Sequence, residues 1–229
     1  MLTDSQIERY SRQIILQPVG GRGQEALLCA AVAVVGDHEA AGTALVYLAA
    51  AGVGRLTRVT SHPGTDRVNP DTELSERPMP QRPAEYEALV SGHAVVVALQ
   101  DLAGMDALHD AGCATGTPLL WGVSAGPRGW AARLGDSPGH ACPGCLNAII
   151  RDAGRPSGGP SLAPIAAAFL GTALASEALK SLLGLPDSLA GRYLVHDGTA
   201  GTVVCHVLAP VPSCPVCSGT PADVRVMDD

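Results

Sequence analysis

Ala31-Val32-Ala33-Val34-Val35-Gly36 is the stretch on which the fold turns. Five small apolar residues in a row offer no wet face, as a central strand of a parallel sheet requires, and the glycine ends the run where the chain must leave the sheet. Working outward, Gly42 to Ala51 has a helical pattern closed by Gly52-Val53-Gly54, and a second strand follows over Leu56–Thr60. Residues 61 to 83 are rich in proline and polar side chains and read as loop with one edge strand. His93–Leu99 is a third buried strand, Met105–Cys113 a helix and Thr117–Val123 a fourth strand. Gly154 to Gly159 reads as a flexible loop before a long helix ending at Leu183, and Tyr193–His196 with Gly201–Leu208 reads as a closing pair of strands. Upstream, Thr3-Asp4-Ser5-Gln6 is a capping box opening a helix through Arg12. Strands alternating with helices predict an α/β fold with a doubly wound, mostly parallel, Rossmann-like sheet. A single domain is expected over 1–229. It divides into a helical arm (3–28), a nucleotide-type α/β half (30–135), a C-terminal half (136–219) and a short tail (220–229).

Hydrophobic residues make up 46% of the 229 but aromatics only 3%, so the core must be built from Ala, Val and Leu. A net charge of −7 with no basic stretch argues against nucleic acid or an anionic membrane as partner. The N-terminus, Met1-Leu-Thr-Asp-Ser-Gln-Ile-Glu-Arg9, lacks the apolar run of a signal peptide. The most apolar segment, Leu162 to Leu185, carries Glu177 and Lys180 and reads as a buried or amphipathic helix rather than a membrane span. A cytoplasmic protein is expected.

Two Cys-x-x-Cys pairs frame the second half, Cys142-Pro-Gly-Cys145 and Cys214-Pro-Val-Cys217, separated by 68 residues. Together they supply the four soft ligands of a closed tetrahedral zinc site, which would tie distant segments together and leave no open position for chemistry. One such pair alone could equally be a redox motif, and iron also binds four thiolates. The remaining Cys29, Cys113 and Cys205 sit among small or apolar neighbours and are expected to be buried, inert thiols. His140 reads as a neighbour of the metal site rather than a ligand.

Several motifs in order resemble the ThiF/MoeB/HesA family, bacterial relatives of ubiquitin-activating enzymes. They are Arg9-Tyr-Ser-Arg-Gln-Ile-Ile-Leu16, the Gly-Gly-x-Gly-Gln-Glu-Ala-Leu segment from Gly20, Tyr47 to Gly54, Cys142-Pro-Gly-Cys-Leu146, Ser176-Glu-Ala-Leu-Lys-Ser-Leu-Leu-Gly184 and the final Cys-Pro-Val-Cys217. The resemblance covers almost the whole chain. It implies an adenylate-forming fold that dimerises, binds ATP-magnesium beside the first strand and activates the C-terminal Gly-Gly of a ubiquitin-like sulfur carrier. It also implies that Cys142, Cys145, Cys214 and Cys217 hold structural zinc.

The departures lie in the nucleotide site. Where the family places a glycine-rich loop, this chain has Gly36-Asp37-His38-Glu39-Ala40-Ala41-Gly42. Asp37 and Glu39 facing a triphosphate would cost on the order of several kcal/mol, so the plain reading makes them helix N-terminal caps. The second strand ends Val59-Thr60-Ser61 without the expected ribose acid, and only Ser61 to Arg67 separates it from Val68-Asn-Pro-Asp71, the family's next landmark. Lys180, the only lysine, falls in a packing helix, so Arg67 alone remains as a substitute cation. Asp101 matches the family's magnesium-associated aspartate and Arg12 the arginine donated across the dimer; a helix cap and a solvated arginine are their plain readings. Asp197 reads as a turn residue beside His196. The loop expected over Asn147–Ser161 contains no cysteine for sulfur chemistry.

The sequence therefore predicts a degenerate family member, unable to adenylate alone and short of its ATP-magnesium contacts. It would act as a binding or regulatory subunit, a homodimer or a heterodimer with an intact homologue, or would receive a sulfur carrier or peptide. The alternative is an active ATP-dependent adenylyltransferase in which Arg12, Arg67 and Asp101 rebuild the site to activate a carrier or peptide carboxylate. A ligand-free structural dimer is a further reading; an NAD oxidoreductase fails for want of Gly-x-Gly-x-x-Gly and a second-strand acid.

Overall fold

In a computed structural model of the chain, the described residues are 1–37, 39–62, 68–99, 104–134, 141–153, 162–212, 214 and 216–217. Helices α1 (Asp4–Ile14) and α2 (Gly20–Cys29) lead into β1 (Ala31–Val35), α3 (Glu39–Ala50), β2 (Arg55–Val59) and β3 (Glu73–Arg77). Then come α4 (Pro83–Ser91), β4 (Val95–Leu99), α5 (Met105–Thr115), β5 (Leu119–Ala125) and β6 (Arg128–Leu134). The C-terminal part supplies α6 (Pro143–Asp152), α7 (Ala163–Leu182), β7 (Arg192–Asp197) and β8 (Thr202–Val207).

All eight strands form one sheet in the order β3-β2-β1-β4-β5-β6-β7-β8. Pairing is parallel from β3 through β5 and antiparallel from β5 to β8. The expected doubly wound, mostly parallel sheet is what the chain forms. β1 and β4 are buried along their whole length, as their uninterrupted apolar runs require. Alternate side chains feed two cores: Val32, Val34, Val95 and Val97 meet α3 and α7, while Ala33, Val35, Val96 and Ala98 meet α4, α5 and α6. α3 and α7 pack closely because small residues meet: a Cβ on Gly171 would lie 2.2 Å from the Ala40 carbonyl oxygen. By length and composition α7 could cross a membrane, yet here it is a core helix whose buried Glu177 pairs with Lys180 at 2.6 Å.

The arm is anchored through one carboxylate. Asp71 takes hydrogen bonds from the Tyr10 hydroxyl (3.1 Å) and Gln6 (3.2 Å) and an ion pair from Arg9. Burial, then the Asp71 charge, pushes the Tyr10 phenol up to about 12. α1 has the expected Thr3–Gln6 capping box and runs on to Ile14. Residues 61–83 hold the expected edge strand, β3, together with the first residue of α4. Two elements correct the sequence reading: Asn147 to Asp152 belong to α6 rather than a loop, and β6 was not expected at all. β8 closes the far edge with Val203, Val204 and Val207 exposed.

Candidate functional site

β1 pairs with β2 on one side and β4 on the other, so strand order reverses there and a crevice opens at the carboxyl ends. Gly36 is what allows the strands to meet at that point. Its φ is 146°, and a Cβ would lie 2.2 Å from the carbonyl oxygen of Leu99 at the end of β4. No glycine-rich loop follows. α3 starts at Glu39, three residues earlier than its pattern suggests, which puts Gly42 inside the helix and Glu39 in the first turn, a position that suits the helix dipole. His38 lies outside the described residues.

Asp37 does something other than the expected helix capping. Its Oδ1 accepts hydrogen bonds from the Thr60 hydroxyl (2.5 Å) and the Ser61 N–H (2.6 Å), both just past the end of β2. The Thr60 bond, helped by Ser61 and the charge of His62, holds this carboxyl below the usual range despite the opposing effect of burial. The His62 ring lies 3.8 Å from Oδ2 and is exposed. An acid thus stands at the end of β2 after all, delivered from β1. Beside it, a cavity of about 620 Å³ is lined by Val59, Ser61, Arg77, Met79, Gln81 and Leu89. Its size suits a small organic ligand, and its cation, Arg77, was missed because the edge strand carrying it was not placed.

Of the other candidates, Arg12 lies exposed in the last turn of α1. Asp101, Arg67 and His140 lie outside the described residues. Lys180 is occupied by Glu177 and by Ser188 at 2.5 Å. Asp197, expected in a turn, ends β7, accepts from the N–H groups of Thr199 and Ala200, and pairs with Arg128 at 2.6 Å.

The four cysteines do come together. Cys142 is the N-cap of α6 and Cys145 lies one turn on, so helical spacing aims both thiols the same way. Cys214 and Cys217 arrive from the segment after β8. Sγ–Sγ distances are 3.8 Å (142–145), 3.5 Å (142–214) and 3.3 Å (145–217), with all four within 4.8 Å. A tetrahedron of sulfurs at ~2.3 Å from zinc has edges of about 3.8 Å, so the cluster could hold a metal ion with little movement. The pocket is tightly built: a Cβ on Gly144 would stand 3.0 Å from Cys214 Sγ, close enough to push it by a few tenths of an ångström, and the Val211 N–H points at Cys145 Sγ (3.3 Å). Burial pushes the Cys142 thiol up strongly and Cys217 up to about 11. At Cys214 burial acts the same way, but the backbone N–H groups of Cys217 and Val216 outweigh it and bring the thiol down to about 7. A cation among them would favour thiolate throughout.

The other thiols are not buried as expected: Cys29 is exposed and Cys113 and Cys205 are half-buried. Cys113 Sγ lies 3.7 Å from His109 Nε2 one turn earlier. Burial depresses the His109 pKa against the opposing charges of Asp110 and Asp106.

Fold and crevice define a doubly wound α/β domain, and the relatives narrow the class. The chain is 29% identical to the sulfur carrier protein adenylyltransferase of Thermus thermophilus over 260 aligned positions, covering 99% of this chain and 96% of that protein. It is 27% identical to the molybdopterin-synthase adenylyltransferase of Escherichia coli (94% and 98% covered) and 26% identical to the ThiS adenylyltransferase of the same organism (97% and 99%). Among solved structures it resembles PaaA (TM-score 0.71, 15% identity, 90% and 84% covered) and E. coli MccB with ATP (TM-score 0.67, 15% identity, 91% and 73%). No protein-family model matches the chain. By sequence along its length and by fold, the chain is similar to the ThiF/MoeB-type adenylyltransferases.

Proposed function

We propose that the chain is an ATP-dependent adenylyltransferase with an atypical nucleotide site, activating the C-terminal carboxylate of a ubiquitin-like sulfur carrier or a peptide. Asp37 carries this reading. Bound through Oδ1 to Thr60 and Ser61, it puts a carboxylate at the end of β2, where the family resemblance calls for the ribose acid, and leaves Oδ2 for a sugar hydroxyl. The adjoining cavity takes the base between Val59 and Leu89. The first turn of α3, at the end of β1, offers backbone N–H groups to phosphates. The carrier carboxylate attacks the α-phosphorus and pyrophosphate leaves. Asp101 would attend the magnesium and Arg12 would reach the site of a second subunit, in a homodimer or beside an intact homologue. Zinc on Cys142, Cys145, Cys214 and Cys217 would be structural. Relatives that match along their full length and are named adenylyltransferases support this over a degenerate subunit.

One observation favours the second reading, a non-adenylating subunit: the only lysine is committed to Glu177 and Ser188, and none is left for phosphate. Calorimetric titration of ATP-magnesium into the purified chain decides between them. Saturable binding is expected, weakened at least about tenfold by Asp37→Ala, since a charge-assisted ribose contact is worth roughly 1.5–3 kcal/mol. No binding at millimolar nucleotide would leave the second reading standing, to be followed by capture of an intact homologue.

A further inference from the structure

On the α4 face of the sheet, near the open edge, lies a separate cavity of about 200 Å³ lined by Arg55, Thr57, Glu73, Ser75, Arg77 and His93. In the β2–β3 register Arg55 faces Glu73, Thr57 faces Ser75 and Val59 faces Arg77. Ser75 is therefore flanked by one arginine position a strand step before it on β2 and another a step after it on β3, each about 7 Å along the sheet and within reach of a guanidinium. Arg58, on the opposite face of β2, pairs with Glu76. Arg55 and Arg77 form no ion pair among the described residues.

The hydroxyls beneath them are ordered by a proton count. His93 Nδ1 lies 2.6 Å from the Leu89 carbonyl oxygen, which can only accept, so Nδ1 carries the proton and Nε2 is an acceptor. Thr57 must then donate its hydroxyl proton to Nε2, 2.8 Å away. Ser75 Oγ, 3.2 Å from Thr57 Oγ1, keeps its own proton, which makes only a long 3.4 Å bond to the Leu56 carbonyl oxygen. Turning that proton outward gives up this long bond to Leu56 and leaves Thr57 bonded through His93. Burial, with the charges of Arg77 and Arg55, keeps His93 neutral and so preserves this arrangement.

We infer that this cavity is a binding site for a small tetrahedral oxyanion of the phosphate type, held between the Arg55 and Arg77 guanidiniums with the Ser75 hydroxyl as a neutral donor. Two arginines against the single carboxylate of Glu73 leave the cavity net positive. The site is distinct from the Asp37 crevice and shares Arg77 and Ala88 with the cavity assigned to the base, so it stands whether or not the chain adenylates anything. The occupant is either free oxyanion or the phosphate of a nucleotide entering from the neighbouring cavity.

Titration of inorganic phosphate into the full chain, followed by phosphorus NMR or calorimetry without nucleotide, tests this. Saturable one-site binding is expected at millimolar phosphate. Arg55→Gln should weaken it at least about tenfold, the loss expected for one charge-assisted contact, and Glu73→Gln should tighten it. Both positions are exposed, so both variants should fold. Absence of saturable binding, or binding indifferent to Arg55→Gln, overturns the inference; a Glu73→Gln variant that binds no better than wild type would mean Glu73 does not oppose the anion and overturns the charge argument. With the site established, displacement of phosphate by ATP would mark a nucleotide phosphate as the occupant, and retention under ATP would mark free oxyanion.

Discussion

The cysteine cluster and the crevice at the end of β1 sit at opposite extremes of how residues make a site. Four thiols need only be the right atoms, and the two Cys-x-x-Cys pairs meet within 4.8 Å with a helix turn setting one of them. The crevice depends on backbone approach and on which strand end delivers a carboxylate, and its acid comes from Asp37, just past β1, although its hydrogen-bond partners lie beyond β2. A site written in residue types survives as a motif; one written in backbone position can be rebuilt from different residues and look lost.

The contrast can be broken most forcefully at the cluster. Cys145→Ser, at a fully buried ligand, should abolish stoichiometric metal in the purified chain and lower stability by about 3 kcal/mol or more, roughly 6–12 °C in Tm for a chain of this size. Metal analysis with calorimetry reads both, and a variant that keeps its metal and its Tm would remove the staple from the account. Gly36→Ala strikes the crevice through its backbone. The added methyl meets the Leu99 carbonyl oxygen, and the left-handed φ is itself unfavourable for alanine, so a loss of about 2–3 kcal/mol is expected in denaturant unfolding. A loss under about 0.5 kcal/mol would mean the β1 and β4 ends have slack. The smallest effect sharpens the reading of Asp37. Its folded pKa lies below its ordinary value, so its contribution to stability is present above about pH 4 and lost as the pH falls through the folded value. The Tm gap between wild type and Asp37→Asn should narrow between about pH 5 and pH 3; a constant gap would show that the Thr60 and Ser61 bonds do not depend on the charge.

Legibility followed the same division. β1 and β4 were readable because a fully buried parallel strand has to be continuously apolar, and α1 because Thr3 and Gln6 stand at capping-box spacing. β6 was hidden by its charges: Arg128 and Arg133 sit in a buried strand only because Asp197 and Asp187 neutralise them from 69 and 54 residues away. α4 carried a signal that went unused, Pro83 at its first turn with Glu85 bonding back to the Gln81 and Arg82 N–H groups. The Asp37–Thr60 contact and the Arg55–Ser75–Arg77 arrangement could not be read at all, because each is created by strand register.

The link from the start of α6 to the segment after β8 also acts on the chain before it folds. A metal retained by the thiolates of the unfolded polymer would close a ring of about 70 residues holding α7, β7 and β8, and such a cross-link removes roughly 4 kcal/mol of chain entropy from the disordered ensemble. Metal loading would then decide the order of assembly. With the ring closed, β7 and β8 start close to the helix they must cover, and the N-terminal parallel strands become the slower part to find their partners.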